Sequence, residues 1–176
     1  MSTLAEVRLW GTSIGAVALE DGTQAASFQY DPAFLPSAVQ IAPLMMPLSE
    51  RVYTFQRLAE TSFRGLPGLL ADSLPDRFGN ALIDAWLASQ GRTPDSFNPV
   101  ERLCYTGTRG MGALEFFPTT GPTPSASRRL DVERLVNLAS DILAKRDGFR
   151  VDLDADHDAQ SLRDILRIGT SAGGAR

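Results

Sequence analysis

Apolar residues repeat at every second position near the start of this chain, and at every third or fourth position from residue 78 onward. A side chain points to alternate faces of a strand but returns to one face of a helix after three or four residues. Strand-type segments therefore come first and helix-type segments later, the order of an α+β fold rather than of alternating β–α units. Val7 and Leu9, then Ile14, Ala16 and Ala18, alternate with other residues on either side of Gly11-Thr12, which predicts a strand pair. Asp21-Gly22 is a hairpin signal, because it supplies positive φ at little cost. Ala26, Phe28 and Tyr30 give a third alternating strand, closed by Asp31-Pro32.

The next stretch contains Pro36, Pro43 and Pro47. Proline has no N–H for a sheet ladder, so apolar pieces such as Val39–Ala42 read as short edge strands. Val52–Phe55 reads as another strand. Pro67–Leu70 predicts a short turn of helix. Ser73 is expected to cap a longer helix, with Pro75 and Asp76 in its first turn. Phe78, Leu82, Ile83, Trp86 and Leu87 share one face of that helix, and Gly91 ends it. Asn98-Pro99 starts a short helix running through Leu103. Gly107–Gly112 is a loop, Ala113–Phe117 a strand. Residues 118–129 read as a linker, rich in Pro, Ser and Thr. A further amphipathic helix over Val132–Leu143, ended by Gly148, belongs to a second region spanning 130–176.

Charge and cysteine usage exclude several function classes. The chain has 176 residues and a net charge of −4, which argues against a surface that binds nucleic acid or anionic membrane over its whole extent. Lys145 is the lone lysine, placed where a helix C-terminal charge belongs. Cys104 is the lone cysteine, so no internal disulfide or cysteine-rich metal site forms. It reads as a small buried hydrophobe. No run is long enough to span a bilayer, and Glu6 and Arg8 interrupt any leader-like start. A cytoplasmic location is the expectation.

Other candidate residues have simpler explanations than catalysis. Asp152, Asp154, Asp156 and Asp158 alternate like a calcium loop, but His157 and Arg163 stand where Gly and Glu are required. No metal site is expected. Asp72, Asp76 and Asp84 resemble a carboxylate set, yet Asp76 suits a first helical turn. Arg102, Arg109, Arg128 and Arg129 suggest a basic face, the simpler reading being solubility. Met45-Met46 reads as core filling, and Trp10 as either core or interface. A ligand pocket among the strands has no residue pattern to name its ligand. Gly169, Thr170, Ser171, Ala172, Gly173, Gly174 and Ala175 form a small-residue loop whose backbone N–H groups can close around phosphate oxygens. It is not a Walker A loop, since Ala175 rather than Lys follows Gly174.

Three blocks in order resemble the N-terminal part of the HipA family of serine/threonine kinase toxins from bacterial toxin–antitoxin modules. They are Gly65–Asp76, Gly107–Phe116 and Gly169–Arg176, with the Val7–Leu19 strand pair and its Gly15 in keeping. The resemblance implies a β-rich, antiparallel, barrel-like N-terminal subdomain over 1–117, then the start of a kinase-like lobe. It implies that Gly169–Ala175 covers ATP phosphates and that Ser171 is autophosphorylated. The family's lysine and its acidic Mg²⁺ ligands follow this loop, so no catalytic residue is expected within the chain. ATP and Mg²⁺ would serve the intact enzyme. Implied partners are a HipB-like helix-turn-helix antitoxin, DNA through that antitoxin alone, and a protein substrate such as an aminoacyl-tRNA synthetase, with no membrane. The implied outcome is growth arrest. The alternative is a stand-alone, non-catalytic subunit that restrains a separate HipA-like kinase.

Overall fold

The computed structural model describes residues 2–110 and 112–120. The candidates at Arg128, Arg129, Lys145, Asp152–Asp158 and Gly169–Ala175, with the 130–176 region and its helix, lie outside the described residues. Among these, residues 2–74 and 98–120 form one compact unit, and 75–97 belong to another.

The first unit is an antiparallel sheet covered by a helix. Strands β1 (Thr3–Leu9), β2 (Thr12–Leu19), β3 (Ser27–Tyr30), β4 (Val52–Thr54) and β5 (Leu114–Phe117) stand in the order β4-β3-β2-β1-β5. The sheet is open, with β4 and β5 at opposite edges, so the barrel-like closure does not form. Edges of three and four residues are short for the staggered pairing that closes a barrel. The α+β class holds.

Alternation decides the two faces. Val7 faces Phe116 on one side and Gly15 on the other, and Gly15 faces Tyr30. Ala5, Val17, Phe28 and Tyr53 make the next row. All of these turn inward. Helix α4 (Pro99–Thr106) adds Val100, Leu103 and Cys104 to the same core. Its start is set by a capping box: Asn98 Oδ1 accepts from the Glu101 N–H at 2.9 Å, and Glu101 Oε2 accepts from the Asn98 N–H at 2.7 Å. Two donors that the helix leaves unpaired are thereby satisfied. Asn98 Nδ2 also donates to Thr3 Oγ1 at 2.7 Å, which fastens the cap to the start of β1. The helix continues to Thr106, three residues past the predicted Leu103.

The proline-rich stretch is not a pair of edge strands. Its regular pairing is one isolated bridge, Ala42 to Met46, because prolines interrupt the ladder. Two tyrosines anchor it instead. Tyr30 donates its hydroxyl to the Met46 carbonyl at 2.8 Å. The Tyr53 hydroxyl donates to the Pro47 carbonyl and shares a hydrogen bond with Ser49. Short helices α1 (Glu60–Phe63) and α2 (Gly68–Ala71) follow β4, the second matching the predicted turn at Pro67–Leu70.

In the second unit, α3 (Arg77–Ser89) is capped by Asp76, not Ser73. The Asp76 carboxylate accepts from the Gly79 N–H at 2.8 Å. Pro75 is the reason: it disfavours helical backbone in the residue before it, so the helix cannot start at Ser73. Leu82, Ile83 and Leu87 are buried, as the predicted stripe requires, and Trp86 meets Phe97 edge to face at 6.0 Å.

Candidate functional site

No described residue belongs to the anticipated phosphate loop, so the site must be sought on the sheet unit. Three places on it combine unusual residues with an accessible surface.

The first is the Gly107–Gly112 turn, which leads α4 into β5. Arg109 was expected to reach outward, as part of a basic face. It is half-buried and folds back: its guanidinium donates to the Tyr105 carbonyl and lies 5.2 Å from the Tyr105 ring. Burial lowers its pKa, opposed by the neighbouring Tyr105. Arg102 is 5% exposed. The reason is one of spacing: on a short helix whose other faces are taken by the sheet, Arg102 to Thr106 are all buried. The described half of the supposed basic face therefore does not exist as a surface, and this turn is a structural joint.

The second is the set of exposed apolar side chains. Trp10 is 79% exposed, with φ of 49°. It occupies the two-residue Trp10-Gly11 turn between Leu9 and Thr12, one residue before the predicted Gly11-Thr12. A bulky residue with positive φ costs about 1–2 kcal/mol. Leu44 is 92% exposed and Met45 60%, whereas Met46 is buried. The core-filling reading of the methionine pair holds for Met46 alone.

The third is a groove of about 690 Å³ at one corner of the sheet's outer face, where Ala18, Ser27 and Thr54 meet the β2–β3 loop and the segment after β4. The sequence reading missed it. Its only linear signal was the set of small residues on the outward-facing positions of three strands.

Cys104 is buried, as expected, and burial pushes its thiol from 9.0 up to about 11, with Glu101 adding to the rise. It is not a nucleophile at neutral pH. Burial also raises the Tyr30 and Tyr105 hydroxyls. This has a measurable consequence. The unfolded chain releases the Cys104 proton near pH 9, the folded chain only near 11. Between those values the unfolded state holds fewer protons, so stability present below pH 9 is lost as the pH rises. Urea unfolding at pH 8 and pH 10.5 is expected to show a lower midpoint at the higher pH. Cys104→Ala is expected to flatten part of that dependence, with the two tyrosines supplying the remainder.

Of the carboxylate trio, Asp76 is committed to capping α3. Among the described residues no group of three or more His, Cys, Asp or Glu is arranged to hold a metal ion, and no helix is long and apolar enough to cross a membrane.

Comparison with known proteins adds one positive finding. The profile described as the HipA N-terminal domain matches residues 5–117, an interval that starts inside β1, ends with β5 and contains both glycine-bearing blocks at 65–76 and 107–116. No curated protein matches significantly.

Proposed function

Because this chain belongs to the HipA N-terminal domain family, part of the HipA toxins of toxin–antitoxin modules, we propose that it serves as the N-terminal region of a HipA-type serine/threonine protein kinase toxin. The intact enzyme would transfer the γ-phosphate of ATP, with Mg²⁺, to a translation-related protein such as an aminoacyl-tRNA synthetase. That transfer would arrest growth in the cytoplasm. A HipB-like helix-turn-helix antitoxin would be its partner and would carry any DNA contact. The observation that carries this reading is the continuous match across every strand of the sheet. The Gly169–Ala175 loop would cover the ATP phosphates and present Ser171 for autophosphorylation. Phosphoryl transfer also needs a cation on the phosphates and carboxylates for Mg²⁺, groups the resemblance assigns to sequence after Arg176.

A second reading is a stand-alone subunit that binds and restrains a separate HipA-like kinase. One observation favours it: the sheet unit, with α4, has a core of its own, running from Ala5 to Phe116.

The test uses the product of the natural gene, purified and incubated with γ-labelled ATP and Mg²⁺. The expected result is label on Ser171, lost in Ser171→Ala. A gene product of 19.0 kDa that takes no label overturns the kinase reading. If that product then co-purifies with a second protein that does take label, the restraining subunit is the correct account.

A further inference from the structure

The groove on the outer sheet face is built in a way that defines what it can hold. The strand register sets Ala18 opposite Ser27 and Ser27 opposite Thr54. One cross-strand row therefore carries three small side chains, which leaves a trough. Ser27 Oγ and Thr54 Oγ1 share a hydrogen bond of 2.7 Å across its floor. One wall is the β2–β3 loop, and that wall is fixed: the Ala26 N–H donates to the Gly65 carbonyl at 2.8 Å. The volume of about 690 Å³ lies within the usual range of ligand sites, roughly 300–1,000 Å³.

Glu20 and Glu60 line the trough, and no Lys or Arg does. An anion brought there meets two like charges, so nucleotides and other phosphates are disfavoured. At the trough's rim lies β4, which among the described residues pairs on one side only. An extended polypeptide arriving at that edge finds backbone groups to bond.

We propose that this trough seats an arginine or lysine side chain presented by an extended segment of a partner polypeptide. The two glutamates supply the charge complement, the small-residue floor supplies the room, and the β4 edge orients the segment. This goes beyond the kinase reading and does not depend on it, since neither the glycine loop nor ATP is involved.

The test is a titration of the isotopically labelled full chain with a short glycine–arginine peptide, followed by amide resonance shifts. Control peptides carry glutamate or neutral citrulline in place of arginine. Shifts confined to residues 18–27 and 54–60 are expected with the arginine peptide alone. The Glu20→Gln, Glu60→Gln double variant is expected to bind roughly threefold to tenfold more weakly, the range for two exposed ion pairs. Both glutamates are exposed, and an unchanged spectrum of the free variant checks its fold. Ser27→Lys, which places a cation in the trough, is expected to abolish binding. Equal binding of the glutamate peptide, shifts centred elsewhere, or full affinity in the double variant would overturn the proposal. Free arginine binding as well as the peptide would overturn its polypeptide part.

Discussion

Phe28→Ala is expected to destabilise the sheet unit by about 3–5 kcal/mol, the range for deleting a buried aromatic ring. Phe28 is fully buried on β3. It faces Val17 on one neighbouring strand and Tyr53 on the other, and meets the Tyr30 ring edge to face at 5.0 Å. Removing it leaves a cavity that three strands share, and closely packed neighbours relax only partly into such a space. Whole domains are stable by only about 5–15 kcal/mol, so this one change removes much of the margin. Thermal unfolding followed by circular dichroism checks it. Leu4→Ala, on an exposed position of β1, is expected to shift stability by under about 0.5 kcal/mol. If the two variants melt alike, Phe28 does not hold the core together.

Gly65→Val is expected to cost about 2–4 kcal/mol, combining left-handed backbone strain with the loss of a hydrogen bond. Gly65 has φ of 74°, and a Cβ placed there would stand 2.0 Å from the Gln24 carbonyl oxygen. To make room the β2–β3 loop must retreat, and with it the hydrogen bond from the Ala26 N–H to the Gly65 carbonyl. Gly22 separates the two contributions. Its φ is 80°, yet nothing lies within 4 Å of its Cβ position. Gly22→Val is expected to show the backbone strain alone, about 1–2 kcal/mol. Denaturant midpoints for the two variants measure the difference. Equal losses would mean that the contact with Gln24 carries no energy.

The strands were legible because their cause is local. Val7, Val17, Phe28 and Phe116 occupy alternate positions, and alternation is itself the rule that sorts a sheet's faces. Asp21-Gly22 marked a real hairpin, although its loop runs from Glu20 to Ala26 because Gly65 clasps the far end. The long helix was legible through Leu82, Ile83 and Leu87, but its cap was misplaced by three residues. Ser73 and Asp76 are both good caps, and only the restriction imposed by Pro75 separates them. The inward turn of Arg109 was not legible. Its partners are backbone carbonyls, which every sequence offers everywhere. The groove was hidden for a related reason: Ala18, Ser27 and Thr54 are far apart in sequence and become neighbours only once the register is fixed. The HipA resemblance came from glycines, and Gly65 shows why such positions persist in a pattern. A fixed backbone approach leaves no room for any other side chain.

The strand order has a consequence for how this protein is born. β1 lies in the interior of the sheet, flanked by β2, which follows it directly, and by β5, which is more than a hundred positions downstream. Ribosomes deliver a chain from its N-terminus at about 5–20 residues per second. The β1–β2 hairpin can therefore form early, while the other side of β1 stays bare until Leu114–Phe117 clears the exit tunnel. For several seconds of every synthesis the nascent protein carries an open strand edge. Whatever shields it during that interval is as much a requirement of this fold as its core.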